Sequence, residues 1–284
     1  MPAIKFVIDS TADLEPAWIE QHGITIVPLR VIFGEEELRD HFDISPQDFY
    51  TRMKTDPVAP RTSQPTPAEF EAAFDAATQD GSTVICTTLS AGVSGTWNSA
   101  MAAKNALPDR DIRIVDTKMV SIAHLTIVEA AVAAAESGSP PDQVINTIGE
   151  LMSQQRLVFA VESLEYLRRG GRIGGAQAML GSLLNIKPIL KVEDGKVDAL
   201  DKVRTFSKAV DRLLLELEKS AKEWDCAPDA IVGHCENPEI AHNLAERTQA
   251  VTGKPVPVTY VGPVIGCHGG PGAIGFSFHK PLTP

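Results

Sequence analysis

The sequence predicts an α/β fold with two domains, an N-terminal domain over residues 1–153 and a C-terminal domain over residues 154–284. Short β-branched runs alternate with Ala-rich or amphipathic runs, a pattern typical of parallel sheets covered by helices on both faces. The clearest strand, residues 84–88, leads through a Gly- and Ser-rich loop into an Ala-rich helix. A length of 284 residues also exceeds the usual size of one domain, which favours two.

In the N-terminal domain, strands are expected where apolar runs end in polar residues, and helices where a capping residue precedes a longer periodic run. The predicted strands are residues 4–8, 24–33, 84–88 and 112–116. The predicted helices are residues 14–22, a helix capped by Ser45 with Pro46 in its first turn, and residues 69–79, 98–106, 121–137 and 142–154. An acidic segment outside the regular elements is expected at residues 35–43, and an extended loop with four prolines is expected at residues 55–67.

In the C-terminal domain, the same criteria predict a second α/β unit. Its strands are residues 157–161, 186–192, 230–234, 257–261 and 274–278, and its helices are residues 173–184, 208–223 and 239–251. Asp194 and Gly195 predict a hairpin turn, because an Asp-Gly pair adopts the positive φ angles that tight hairpins require. Residues 262–272, which are rich in glycine, are expected to form a loop.

Polar loops lie at or near the carboxyl ends of the predicted strands. They contain Asp9-Ser10, Thr62-Ser63, residues 90–96 and Asp116-Thr117. Because open parallel sheets bind ligands at the carboxyl ends of their strands, we expect these loops to converge on a site. The alternative is that each loop only caps its own helix.

Residues 89–100 carry the strongest local signal for ligand binding. A loop that joins a strand to a helix N-terminus presents unpaired N–H groups and hydroxyls to a small anion. The loop holds no Lys or Arg, so it differs from the triphosphate-binding G-x-x-x-x-G-K-[ST] loop, and a carboxylate suits it better. A plain helix cap with turn glycines explains the loop equally well.

Composition and charge exclude several classes of function. A net charge of −11 argues against general binding to nucleic acid or anionic membranes, and the longest uncharged stretch is interrupted by Pro and Gly, so we expect no stable membrane insertion. Four scattered cysteines without a C-x-x-C pair favour reduced thiols, and the acidic N-terminus lacks a secretory signal, so a cytoplasmic protein is expected. Residues 168–212 differ from the rest, with ten basic residues against five acidic ones.

Two further patterns resemble a dinucleotide-binding motif and a zinc site, but neither predicts one. Residues 270–275 match G-x-G-x-x-G, but no helix or βαβ unit follows them, so they do not predict a dinucleotide site. The pairs His234-Cys235 and Cys267-His268 are poor chelators, because adjacent side chains on a strand point to opposite faces. We therefore expect no metal.

A serine esterase or thioesterase is the alternative from another functional class. Ser94 and His268 supply a nucleophile and a base, and Asp9 or Asp116 is available as the third member of a triad. Residues 92–96 do not match G-x-S-x-G, however, and no sequence argument places an Asp behind His268.

Four motifs in chain order resemble the signatures of the DegV family of bacterial fatty-acid-binding proteins. They are Thr62-Ser63-Gln64-Pro65, residues 89–96 (LSAGVSGT), residues 164–173 (LEYLRRGGRI) together with residues 183–189 (LLNIKPI), and His268 followed by residues 270–275 (GPGAIG). The resemblance extends from Val7 to Phe278, which is almost the whole chain. Each motif alone is weak, but four of them in register are specific.

The resemblance implies a two-domain α/β protein that holds one long-chain fatty acid, such as palmitate or oleate, between its domains. It implies no catalytic activity and no cofactor, because such a carrier presents the acyl carboxylate to a separate fatty acid kinase, which forms an acyl phosphate for phospholipid synthesis. Carried over by motif, Thr62, Ser94 and His268 would bind the carboxylate. Arg172 and Arg204 would face the kinase.

The residue types agree with this implication on physical grounds. A buried sixteen-carbon tail contributes on the order of 10 kcal/mol at ~0.8 kcal/mol per methylene, so the apolar slot should dominate the affinity. Hydroxyls and an imidazole suffice for the carboxylate, and neutral donors leave it available to another enzyme. The basic segment 168–212 would suit docking to an acidic partner.

Overall fold

The computed structural model describes residues 3–180 and 186–282. Its strands, in chain order, are β1 (Ile4–Asp9), β2 (Thr25–Val27), β3 (Arg30–Phe33), β4 (Glu36–Arg39), β5 (Arg61–Ser63), β6 (Thr83–Thr88), β7 (Ile112–Asp116), β8 (Gln155–Ala160), β9 (Lys187–Glu193), β10 (Lys196–Val203), β11 (Asp229–His234), β12 (Val258–Tyr260) and β13 (Ile274–His279). Its helices are α1 (Pro16–Gln21), α2 (Pro46–Thr55), α3 (Pro67–Thr78), α4 (Thr96–Ala106), α5 (Ile122–Glu136), α6 (Pro141–Gln154), α7 (Glu165–Arg169), α8 (Phe206–Trp224), α9 (Pro238–Thr252) and α10 (Pro263–Gly269).

The first sheet contains the predicted parallel strands, in the order β2-β1-β6-β7. Successive residues of β1 are buried on opposite faces: Val7 packs with Phe70 and Phe74 of α3, while Ile8 packs with Ile127 of α5. Burial on both faces explains why these strands are continuous apolar runs without alternation. The parallel-sheet prediction is confirmed.

The second sheet is mixed, in the order β10-β9-β8-β13-β11-β12, with a parallel pair only between β11 and β12. The predicted hairpin is confirmed, since Asp194 and Gly195 join β9 to β10 with φ of 48° and 76°. The first and second sheets draw their strands from opposite sides of the proposed boundary after residue 153. The boundary itself stays a prediction.

The predicted strand at residues 24–33 is wrong as a single element, because the chain divides it between two sheets. The β2 part joins the parallel sheet, and β3 pairs with β4 and β5 in a third, antiparallel sheet. Pro28, which has no N–H to donate, lies between the two parts. Short strands therefore lie within the acidic segment at residues 35–43 and within the loop predicted at residues 55–67. The polar composition of these edge strands gives no strand signal in the sequence.

The loop predicted at residues 262–272 is also corrected, because α10 occupies its first part. Glycine is a poor helix former, so the sequence signal points away from a helix. The apolar helix predicted at residues 173–184 begins instead as a 3-10 helix over Gly174–Met179. Residues 181–184 of that predicted helix lie outside the described residues, as does Asn185 of the LLNIKPI motif.

Gly266 allows α10 to pack directly on a buried aromatic ring of α2. A Cβ at Gly266 would overlap the hydroxyl of Tyr50, which is fully buried and donates to the Val261 carbonyl at 2.9 Å. Neither partner has room to move, so the absence of a side chain at Gly266 fixes how closely α10 approaches.

We expect Gly266→Ala to lower the free energy of unfolding by about 1–3 kcal/mol, the usual cost of overpacking. In the double variant with Tyr50→Phe, the loss should be smaller than the sum of the single losses, because the hydroxyl, the nearest overlapping atom, is gone. Part of the loss should remain, since two ring carbons of Tyr50 also lie within 3.0 Å of that Cβ. Urea unfolding measures both. Gly149→Ala in α6 is the matched control, since nothing lies within 4 Å of its Cβ, and it should stabilise the protein slightly. Additive losses would show that the two residues do not interact.

Candidate functional site

A cavity of about 310 Å³ is lined by side chains from both halves of the chain. Its walls are mostly aliphatic or aromatic, with Leu29, Leu89, Val93, Val120 and Ile122 from the N-terminal half, and Leu157, Phe159, Leu167, Val192, Val197, Val261, Val264, Ile265 and Ile274 from the C-terminal half. A volume near 300 Å³ and a small set of polar wall groups are typical of a site for an apolar small molecule.

Thr62, Ser94 and His268 all line this cavity, although they come from three distant parts of the sequence. Thr62 lies in β5, Ser94 in the loop before α4, and His268 in the last turn of α10. The Thr62 Oγ1 and His268 Nε2 atoms are 2.9 Å apart. These two residues thus form a hydrogen-bonded pair across 206 positions of sequence.

Arg172 connects the loop of Ser94 to this pair. Its Nε donates to the Val93 carbonyl at 2.9 Å, and its Nη1 donates to the Gly170 carbonyl at 2.6 Å. Gly170 in turn contacts His268 so closely that a Cβ at position 170 would overlap the imidazole. The three predicted carboxylate-binding residues therefore gather at one polar end of the cavity.

Ser94 also contacts the start of α4. Its Oγ accepts from the Thr96 amide at 3.3 Å and lies 2.9 Å from the Thr96 hydroxyl, although the N-cap itself is Gly95. A structural role at the helix start and a place in the cavity wall are thus compatible for Ser94.

Only two of the four polar loops reach the cavity, so the expected convergence of all four is corrected. Asp9 accepts from the Thr11 amide at 2.9 Å and from the Leu89 amide at 2.6 Å. Asp116 accepts from the Ala91 amide at 3.0 Å. These two carboxylates lie at strand ends and hold the loop that carries Ser94. They do not line the cavity themselves.

A serine-hydrolase triad has no support in this geometry. A triad needs a carboxylate on the second nitrogen of the imidazole, and in the described part of the chain the buried Nδ1 of His268 has no hydrogen-bond partner. Asp9 and Asp116 are engaged with backbone amides instead. Within residues 3–180 and 186–282, no group of three His, Cys, Asp or Glu side chains could hold a metal ion.

His268 is neutral at physiological pH. Burial and the nearby Arg172 guanidinium lower the pKa of His268 to about 4. Burial disfavours a charge on the imidazole, and Arg172 repels a positive charge beside it. The imidazole can therefore act as a hydrogen-bond donor or acceptor without forming an ion pair.

Arg204 lies away from the cavity. It is exposed in the bend between β10 and α8 and is not among the residues that line the site. Arg172, by contrast, is part of the cavity wall. That Arg172 and Arg204 both face a kinase stays a prediction.

Comparison with known proteins identifies the family. A family model described as an uncharacterised protein of the DegV family matches residues 3–280. A DegV domain-containing protein of Halalkalibacterium halodurans is 35% identical over 98% of this chain and 99% of its own length. This chain belongs to the DegV family. The protein DegV of Bacillus subtilis is 33% identical over 96% of this chain and 97% of its own.

Solved DegV structures share the fold and confirm the two-domain α/β prediction. A fatty-acid-binding DegV protein from Thermus thermophilus is 31% identical, with a TM-score of 0.92 over 98% of this chain and all of that one. A stearic-acid-binding protein from Eubacterium ventriosum is 30% identical, with a TM-score of 0.90 over 98% of each chain. No described helix of this DegV chain has the length and apolar character to cross a bilayer.

A polar cluster, buried except at the partly exposed His41, positions α10 in this DegV protein, and sequence reasoning missed it. We call it the α10 cluster, and it consists of Ser10, Asp13, Asp40, His41 and Ser121. Asp13 accepts from the Gly262 amide at 3.1 Å, and Asp40 accepts from the Val264 amide at 3.4 Å. The cluster therefore binds the backbone at the start of the helix that carries His268.

Local backbone geometry explains why no sequence signal marks the α10 cluster. Asp13, His41 and Ser121 all have positive φ, of 53°, 64° and 52°. Such conformations are unusual for residues other than glycine and are stabilised by the tertiary hydrogen bonds that they permit. Only the folded chain brings these residues together.

The α10 cluster binds protons more tightly than its residues do in the unfolded chain. Burial alone would lower the pKa of His41, but the hydrogen bond to Asp13 and the charges of Asp40, Asp13 and Glu15 outweigh it and raise the pKa to about 9. Burial is the main cause that raises the pKa of Asp40 to about 7, against the opposing charge of His41. Both groups therefore stabilise the fold in their protonated forms.

We expect stability to fall as His41 loses its proton. Its folded pKa of about 9 exceeds the ordinary 6.5, so its contribution is complete below pH 6.5 and is lost as the pH rises through 9. His41→Asn keeps a residue that tolerates positive φ but removes the titration. Between pH 6 and 10, the wild type should lose up to about 3 kcal/mol more free energy of unfolding than the variant.

Urea unfolding at a series of pH values measures this difference. His242→Asn is the matched control, because His242 is an exposed histidine of α9, and its pH profile should follow that of the wild type. Parallel profiles for the wild type and His41→Asn would contradict the role given to His41.

Proposed function

We propose that this protein binds one long-chain fatty acid in the cavity, with its carboxylate at Thr62, Ser94 and His268. The observation that carries the proposal is an apolar cavity from both halves of the chain that ends at the Thr62–His268 pair. Solved relatives of 30% identity or more are described as binding fatty acids, one of them stearic acid.

The tail supplies most of the binding energy in this proposal. Burial of the methylenes contributes ~0.8 kcal/mol each, on the order of 10 kcal/mol for a palmitate tail. A hydrogen bond from a neutral hydroxyl or imidazole contributes only about 1 kcal/mol. The polar end therefore fixes where the carboxylate lies, and the apolar walls determine how tightly the acid is held.

The bound carboxylate is presented to a fatty acid kinase. A carboxylate oxygen attacks the γ-phosphorus of a nucleoside triphosphate held by the kinase, the bond to the bridging oxygen breaks, and the nucleoside diphosphate leaves. Neutral partners at Thr62, Ser94 and His268 leave the attacking oxygen more nucleophilic than a buried Arg pair would. The protein is then a carrier in fatty acid metabolism or lipid transport, not an enzyme, and acts in the cytoplasm.

The kinase docks on a surface that includes Arg172 and Arg204. Most basic residues of the segment 168–212 are neutralised in ion pairs, which reduces the charge that the sequence suggested. These pairs are Arg168–Glu165, Arg169–Glu165, Lys187–Glu162, Lys191–Glu193, Lys208–Asp211 and Arg212–Asp201. Arg204 is exposed outside these pairs, so it is available to an acidic partner.

We expect shortening of the ligand to weaken binding more than any change at the polar end. Replacing palmitate by laurate removes four methylenes, about 3 kcal/mol, and should raise the Kd roughly 200-fold. Ser94→Ala removes one neutral hydrogen bond and should raise the Kd for palmitate about fivefold. Isothermal titration calorimetry on delipidated protein measures both values.

Ser207→Ala, an exposed serine of α8, is the control and should bind palmitate like the wild type. Native mass spectrometry should also detect an acyl ligand in protein purified without delipidation. Protein that neither retains nor binds a fatty acid would contradict the proposal. Steady ester hydrolysis that disappears in Ser94→Ala would favour the esterase alternative instead.

We expect Arg204→Glu to lower the rate of acyl-phosphate formation by a partner kinase at least tenfold, because it reverses the charge on the docking surface. Palmitate binding should be unaffected, since Arg204 does not line the cavity. Lys222→Glu is the matched control: it makes the same charge change on an exposed residue at the other end of α8, about 24 Å from its start. Equal effects of both variants would indicate a general charge effect and would remove Arg204 from the interface.

A further inference from the structure

A second cavity, of about 290 Å³, lies against the polar end of the first. We call it the arginine chamber, because Arg61, Arg169 and Arg172 line it together with Met53, Ala59, Pro60, Thr62, Tyr166, Gly170, Cys267 and His268. Thr62, Arg172 and His268 line both cavities. The Thr62–His268 pair is therefore a partition between an apolar space and a basic one.

The arginine chamber has a net positive charge. No acidic side chain is among the described residues of its wall. Burial raises the pKa of Cys267 to about 12, despite the opposing charges of Arg169 and Arg172, so this residue is a neutral thiol that donates to the Pro60 carbonyl at 3.3 Å. His268 is neutral as well, so the guanidinium charges are not offset inside the chamber.

One carboxylate approaches the chamber from outside. Glu165 lies 3.5 Å from Arg169, but its two oxygens are bonded at 2.9 Å to the neighbouring Arg168. Arg169 also lies over the ring of Tyr166, with its guanidinium carbon 5.8 Å from the ring centre. Arg172 is fixed by its bonds to two backbone carbonyls. Two of the three guanidinium groups are thus oriented before any ligand arrives.

We propose that the arginine chamber binds the phosphoryl group of an acyl phosphate whose acyl chain lies in the first cavity. This inference rests on the proposed function. A carboxylate at the Thr62–His268 partition has one oxygen on the chamber side, so a phosphoryl group joined to that oxygen extends into the chamber. Arginine matches a phosphoryl dianion by charge and by its fork of N–H donors.

The division of roles explains why the site contains both neutral and charged donors. The free acid is held by its tail and by neutral groups, and it needs no arginine. The acyl phosphate has gained a dianionic group, and three guanidiniums lie where that group projects. The chamber therefore favours the phosphorylated ligand over the acid and retains it after transfer.

The test compares palmitate with a stable analogue of palmitoyl phosphate, (2-oxoheptadecyl)phosphonate, in which a CH2 group replaces the bridging oxygen of the labile mixed anhydride. Calorimetry on delipidated protein should give a Kd for the phosphonate at least tenfold higher in Arg61→Gln and in Arg169→Gln than in the wild type. The Kd for palmitate should change less than twofold, which also shows that the variants are folded. Arg168→Gln is the matched control, because Arg168 is exposed beside Arg169 but does not line the chamber.

Other results overturn the proposal in distinguishable ways. If palmitate binds and the phosphonate does not, or if the chamber variants weaken both ligands equally, the chamber is not a phosphoryl site although the fatty-acid site stands. If palmitoyl-CoA shows the same arginine dependence, the chamber serves a thioester. If inorganic phosphate binds palmitate-loaded protein as tightly as the phosphonate binds, the chamber is a free-phosphate site. Failure of palmitate itself to bind overturns the proposed function first.

Discussion

The hydrogen bonds between the α10 cluster and the first turn of α10 are the constraint on which the site depends. Asp13 and Asp40 bind two backbone amides of that helix, and Gly266 lets it lie directly on Tyr50. Because α10 ends with His268 and supplies wall residues to both cavities, its placement determines where the apolar space stops and the basic one starts. A shift of this helix would separate His268 from Thr62.

The Thr62–His268 partition can hold a carboxylate without an ion pair because neither of its members carries a charge. A protonated His268 would form an ion pair with a carboxylate and would also repel Arg172, and burial prevents that state. The Thr62 hydroxyl and the His268 Nε2 instead satisfy one another at 2.9 Å, whereas the buried Nδ1 of His268 has no partner within the described residues. The guanidinium groups of Arg61 and Arg169 line only the arginine chamber, and that of Arg172 lines both cavities beside the partition.

The sequence predicts those features that local chemistry determines. The parallel strands follow from continuous β-branched runs, the hairpin from Asp194-Gly195, and the start of α2 from Ser45, whose hydroxyl accepts from the Asp48 amide at 3.1 Å. Tertiary contacts determine the features that it misses. A glycine-rich helix such as α10, and positive φ at Asp13 and His41, are favourable only against their partners in the fold. The expectation that Thr62 and His268 share one site comes from the family resemblance, since no local pattern connects residues so distant.

The two halves of the chain share one apolar interior, and the cavity is part of it. Phe49 and Tyr50 pack in the same cluster as Val161 and Leu190, and Ile127 packs in the same cluster as Leu157. The cavity, of about 310 Å³, is lined mostly by apolar side chains from both halves. Burial of a sixteen-carbon tail against such walls gains on the order of 10 kcal/mol at ~0.8 kcal/mol per methylene. An acyl tail in this space therefore acts as a missing core side chain, and its binding completes the packing that joins the two halves.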